Sequence, residues 1–150
     1  MMDKANFKKG VGRVLKSAGF TGKSGSWYLC GDESTVVLNL QRSDFDEKFY
    51  VNFGVWLQSL GAVDFPSENK CHIQARLTSL FPGHAEAVDR ACKVGGSTED
   101  LATFAEFLEK EVVPFCKDCL RTEGLRSKLE AGTFKKALIM KAAKDVLTQT

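Results

Sequence analysis

The strongest constraint on this chain is a pair of alternating segments, residues 35–42 and 48–57, joined by the connector Ser43, Asp44, Phe45, Asp46 and Glu47. In the first, Val36, Leu38 and Leu40 oppose Val37, Asn39 and Gln41; in the second, Phe49, Val51, Phe53 and Val55 oppose Tyr50, Asn52, Gly54 and Trp56. Successive strand side chains leave opposite faces, so the pattern predicts a β-hairpin with one apolar face. The other face is polar and aromatic instead of uniformly charged. That content marks it as a candidate binding surface, and no catalytic or cofactor motif competes with it.

A chain of 150 residues suits one domain, here residues 1–150, and a domain of that size buries ~70% of the surface its unfolded chain exposes. Apolar residues make up 43% of the chain and include eleven Phe, a composition for a packed core. The net charge of +2 predicts no nucleic-acid partner, although Lys4, Lys8, Lys9, Arg13, Lys16 and Lys23 face only Asp3 within the first 25 residues. A solvated helix face accounts for that excess. No apolar run approaches a membrane span and the start lacks a signal peptide's apolar stretch, so no membrane partner and a cytoplasmic address are expected. Five cysteines without regular spacing fit reduced thiols.

Along the chain, Phe7, Val11, Val14, Leu15 and Ala18 form one helical stripe that breaks at Gly19. Residues 21–26 read as a turn and 27–30 as a short strand leading into the hairpin. After a loop carrying Gly61 and Pro66, alternation of Cys71, Ile73, Ala75 and Leu77 with His72, Gln74, Arg76 and Thr78 predicts a fourth strand over 70–80. Pro82, Gly83, Gly95 and Gly96 bracket at most a short helix around 85–92. From an N-cap at Ser97, the spacing of Leu101, Phe104, Ala105, Leu108, Val112 and Phe115 predicts a long helix, kinked by Pro114. Leu125 with Leu129, and Phe134, Leu138, Ala142 and Val146, predict two more helices separated at Gly132. The expected fold is α+β: an antiparallel meander of four strands or slightly more, covered on one face by the N-terminal and C-terminal helices.

Most chemical signals have a plainer reading. Gly22, Lys23 and Ser24 match the end of a phosphate-binding loop, but the required upstream glycine is Ser17, and the segment follows a helix and enters a strand, the reverse of the needed order. Cys116 and Cys119 have CxxC spacing, yet Cys119 continues the apolar stripe and the remaining Cys and His residues are scattered, so packing is expected and no metal or cofactor. His72 and His84 lack a local nucleophile or carboxylate. Glu106 and Glu109 lie on one flank of the long helix and Glu111 on the other, so they do not converge. Asp44, Asp46 and Glu47 suit a hairpin turn and would also steer a basic partner.

The non-core sheet face remains. Asn39, Gln41, Tyr50, Asn52, Trp56, His72, Gln74 and Arg76 share it if the strands pair in order, with Asp44 and Asp46 at its rim. Trp, Tyr and Arg are enriched at binding hot spots, whereas solvated strands carry Thr, Lys and Glu; a covering terminal helix is the alternative use of such a face. Gly54 fits close approach by a ligand or another backbone.

Gly25 to Tyr28, Val37 with Asn39, Leu40, Gln41 and Ser43, the run Phe49 to Trp56, Cys71 to Ile73 with Arg76 and Leu77, and Val113 to Phe115 together resemble a family of small bacterial domains of unknown function. The resemblance covers about residues 3–120. It implies a cytoplasmic α+β domain without an established catalytic site, some of whose relatives resemble immunity proteins encoded beside polymorphic toxins. The chain departs from the family pattern after Pro82, where an aromatic, Trp-containing segment is expected and residues 83–92 have none. The function expected is a non-enzymatic immunity protein that binds a cognate toxin and occludes its active site. The alternatives are a small enzyme using His72 and Arg76, or a nucleic-acid module using the basic first helix. The sequence sets no oligomeric state.

Overall fold

Alternation in the two central segments is realised as strands β3 (Ser34–Arg42) and β4 (Phe49–Leu57), paired antiparallel from Ser34↔Leu57 to Arg42↔Phe49. The computed structural model describes residues 4–93 and 96–149. Around this hairpin lie β1 (Thr21–Lys23), β2 (Ser26–Cys30), β5 (Ile73–Arg76) and β6 (Leu138–Ile139), giving a six-stranded sheet in sequence order with every neighbouring pair antiparallel. The fold is α+β. Its helices are α1 (Lys4–Ser17), the short α2 (Leu77–Leu80), α3 (Ala85–Cys92), α4 (Thr98–Phe107), α5 (Val113–Asp118), α6 (Thr122–Glu130) and α7 (Lys141–Thr148). No described helix is long and apolar enough to cross a membrane.

One face of the sheet presents Val36, Leu38, Val51, Phe53, Val55 and Ile73, all buried in the main core. Phe7, Val11 and Leu15 of α1 join that core, as do Phe104 of α4, Leu125 of α6 and Leu147 of α7. Aromatic packing ties the layers together: Phe7 stacks on Phe49 at 5.4 Å, and Phe53 meets Phe115 at 5.6 Å between ring centroids. Each such side chain contributes about 1.5–3 kcal/mol through its removal from water.

Local chemistry explains several element ends. Ser97 caps α4 by accepting a hydrogen bond from the Asp100 N–H. Where a kink at Pro114 is expected, a π-helical turn, Leu108–Val112, joins α4 to α5 without a break in the chain's helical course. Such a turn rearranges the bonding ladder where the proline cannot donate.

Four expectations need correction. Residues 21–26 are not only a turn: Thr21–Lys23 pairs with Ser26–Tyr28 across Ser24 and Gly25, both at positive φ (52° and 79°), a geometry suited to a two-residue hairpin. The strand expected over 70–80 spans only Ile73–Arg76, because Glu68–Lys70 is a turn of 3₁₀ helix and Leu77–Leu80 is helical. Cys71 therefore lies on the second sheet face, with Tyr28 and Val37, and not in the main core. Finally, Leu138 belongs to β6, not to a helix shared with Phe134, and α7 buries Ala143 and Leu147 where Ala142 and Val146 were expected to lead. The helix around 85–92 is present as α3; Gly95, taken as part of its bracket, lies outside the described residues, as does Asp3.

Gly54 controls the second face. A Cβ built there would lie 2.9 Å from the Cys71 Sγ and 3.1 Å from the Cys71 Cβ, so the approach that its glycine permits is by this chain's own connector, residues 58–72. Gly54→Ala should accordingly cost about 1–3 kcal/mol in a denaturant melt, as overpacking does, and Cys71→Ala in the same chain should recover part of the loss. An unchanged midpoint for Gly54→Ala would show that the connector does not press on this strand.

Candidate functional site

The cross-strand register lays out the second face as successive rows. Thr35 pairs with Trp56; Tyr28, Val37, Gly54 and Gln74 form the next row; Ser26, Asn39, Asn52 and Arg76 the next; and Gln41 with Tyr50 the last before the hairpin tip. The first two rows are covered. Over them run residues 58–72, held by the Trp56 Nε1–H donating to the Gly61 carbonyl (2.7 Å) and by the Gln58 amide, which bonds Thr35 Oγ1 and the Val63 backbone. Phe65 meets the edge of Tyr28 at 5.1 Å, and Gln74 donates to the Asn69 and Cys71 carbonyls.

His72 belongs to this closed half. Its Nδ1 accepts the Leu57 N–H at 2.9 Å and its ring lies 4.2 Å from that of Trp56. Burial holds the imidazole below its ordinary value, in the neutral form that this bond requires. Trp56, His72 and Gln74 thus anchor the connector, and the helix considered as a cover for this face is replaced by that connector.

The last two rows are open. Asn52, itself buried, donates from Nδ2 to Gln41 Oε1 (2.9 Å) and Asn39 Oδ1 (3.4 Å), and Asn39 donates in turn to Ser26 Oγ (2.9 Å). This chain of amides fixes its own geometry and lines a shallow cavity of about 480 Å³, walled by Ser24, Tyr28, Glu68 and Asn69. Burial raises the Glu68 carboxyl above its ordinary range, opposed by the nearby Arg76 charge. An adjoining cavity of about 280 Å³ contains Lys48, Tyr50, Arg76, Thr78 and Asp89. There the Arg76 guanidinium lies 3.8 Å from the Tyr50 ring centre and the Lys48 Nζ 4.6 Å from it. The buried Nη1 of Arg76 has no hydrogen-bond partner among the described residues.

Beyond Gln41 and Tyr50 comes the tip. Ser43 Oγ accepts from the N–H groups of Phe45 and Asp46, the Ser43 N–H donates to the Lys48 carbonyl, and Arg42 pairs with Glu47 at 3.2 Å. Asp44 and Asp46 are exposed, and Phe45 between them is 96% exposed. Of the ten sequence-derived site residues, Asn39, Gln41, Tyr50, Asn52 and Arg76 therefore come together, Asp44 and Asp46 extend that patch, and Trp56, His72 and Gln74 are separated from it. Sequence reading missed Ser26, Tyr28, Glu68 and Phe45. Extending the alternation one strand back to Ser26 and Tyr28 finds the first two; Glu68 arrives through the connector and has no periodic signal.

The other chemical signals resolve locally. Cys116 and Cys119 are buried in the last turn of α5 and just after it, and burial pushes the Cys119 thiol up to about 12. Among the described residues no three His, Cys, Asp or Glu side chains are placed to hold a metal ion. Gly22, Lys23 and Ser24 lie in a strand and its hairpin turn. His84 stacks on Phe107 at 4.3 Å.

The His72 bond makes stability pH-dependent with a defined sign. A histidine whose folded value is depressed contributes fully above its unfolded value of about 6.5, and that contribution is lost as pH falls through the folded value. The melting temperature of His72→Asn, which keeps an acceptor in place of Nδ1, should therefore fall less than that of the native chain between about pH 7.5 and pH 5. Parallel curves would show that His72 does not carry this term.

Residues 11–118 match the family described as Domain of unknown function (DUF4304), and the chain belongs to that family. The open half of the second face lies wholly within the matched stretch, whereas α6, β6 and α7 lie beyond it. No curated protein and no solved structure matches the chain.

Proposed function

We propose that this chain is a non-enzymatic protein-binding module, an immunity protein that neutralises a cognate bacterial toxin in the cytoplasm by covering the toxin's active site. The contact surface is the open half of the second sheet face, continued onto the hairpin tip. The observation that carries the reading is the pre-formed amide chain of Ser26, Asn39, Asn52 and Gln41 beside the Tyr50–Arg76 pair. A surface whose polar groups already hold one another loses little freedom on binding, and Tyr and Arg side by side are typical anchors. Occlusion needs no catalytic group of its own, and the class of partner is the one that the family resemblance implies, since some relatives of that family resemble toxin immunity proteins.

The enzyme alternative asks His72 and Arg76 to serve one site. They are four residues apart, or about 13 Å along extended backbone, and His72 is engaged with the Leu57 N–H beneath the connector. The binding reading is favoured on that ground.

Calorimetry against the product of an adjacent toxin gene tests the proposal. Tyr50→Ala and Arg76→Ala should each keep the native melting temperature within a few degrees and lose about 2 kcal/mol or more of affinity. Trp56→Ala should instead lower the melting temperature, because it releases the Gly61 carbonyl and the connector. Native affinity in both Tyr50→Ala and Arg76→Ala would remove this face from the interface.

A further inference from the structure

The outer side of α1 carries a feature that complements the hairpin tip. Lys8, Lys9, Arg13 and Lys16 are exposed and rim a cavity of about 410 Å³ whose floor is Gly12 and Trp27. Gly12 keeps that floor open, since a Cβ there would lie 3.3 Å from the Trp27 Nε1; a Cβ on Gly22 would lie 3.4 Å from the same atom. The indole N–H has no hydrogen-bond partner among the described residues, and none of the four rim cations belongs to an ion pair there. The cavity thus offers an apolar floor, a free donor and a cationic rim.

The tip supplies the converse. Phe45 projects from a turn fixed by Ser43, and it is flanked by Asp44 and Asp46, which form no ion pair among the described residues. We infer that the Phe45 tip of one copy docks into the Trp27 cavity of a second copy, the ring on the indole floor and the two aspartates against Lys9, Arg13 and their neighbours. One aspartate would also accept the free indole N–H. The occupant is this chain itself because both halves of the match, in charge and in apolar character, are present on it. The contact joins unlike surfaces, so it either closes into a ring or reciprocal pair or propagates. A single projecting turn buries far less than a standard interface, so the association is weak and salt-sensitive. The inference does not rest on the toxin-binding reading, and it is tested without any partner.

Sedimentation equilibrium on the full chain at low salt, up to about 1 mM, reads even a weak contact. The native protein should show a mass average that rises with concentration and falls when salt is added. Phe45→Ser should weaken the association by about tenfold or more while leaving the thermal melt unchanged, as expected for loss of an exposed anchor. The pair Asp44→Lys with Asp46→Lys should abolish association, and so should Lys9→Glu with Arg13→Glu. An equimolar mixture of these two charge-reversed proteins should associate again, since the native tip of one meets the native cavity of the other and the basic tip meets the acidic cavity. A native protein that stays monomeric throughout, or a mixture that stays monomeric, overturns the inference. So does a monomer that instead captures a duplex oligonucleotide through Lys9 and Arg13, which would assign the cavity to phosphate.

Discussion

The nine backbone pairs between β3 and β4 set everything else. Side chains alternate across that ladder with period two, so the register that sends Val36, Leu38, Val51, Phe53 and Val55 into the main core also sends Val37, Asn39, Asn52 and Gly54 to the other side. A slip of one residue would exchange the two sets and bury the amides against the helices, which is why a hairpin with one apolar face resists it. Helices α1, α4, α6 and α7 contribute to the core on the first side. The second side is left to a connector of fifteen residues, and its chemistry decides which part stays open.

That division follows from side-chain size. Tyr28, Val37 and Gly54 form a row that is apolar and, at Gly54, empty of side chain, so Cys71 settles over it and brings residues 58–72 with it. The next row consists of Ser26, Asn39 and Asn52, which bond one another, and Arg76, which stacks on Tyr50 of the following row, so it offers the connector little apolar surface to bury. Connectors of this length without regular strands or long helices are uncommon unless they pack or act; here the first residues of the connector bond Trp56 and Thr35, and the last bond Gln74. Glu68 stands where the covered rows meet the open ones, near enough to Arg76 for their charges to interact.

How much of this was legible depended on whether an element's burial was periodic. The central hairpin, α1 and the helix capped by Ser97 carry strong apolar periods, and their residues fall where alternation or helical spacing places them. Strand β1 is exposed throughout, so Thr21, Gly22 and Lys23 carry no burial signal, and only their pairing with β2 defines them. Ile73 and Ala75 do alternate, but the same parity run on to Cys71 and Leu77 crosses two changes of structure, which no period can register. Leu138 matched Phe134 at helical spacing, yet it pairs with Gln74 at the sheet edge, a long-range contact invisible in local sequence. For the candidate site, the shared face was readable, but its division into covered and open halves was not, because it depends on where the connector lies in space.

The central claim is that the second face is half sealed by this chain's own connector, leaving the tip-ward half open. Thiol labelling of the native protein tests it most directly, since of the five cysteines only Cys30 is exposed and Cys71 lies under the connector against Gly54. The account predicts that one thiol, identified by mass spectrometry as Cys30, reacts rapidly, while Cys71 reacts only after unfolding. Labelling of Cys71 at a rate comparable to Cys30 would mean that the connector does not seal the face, and would contradict the account.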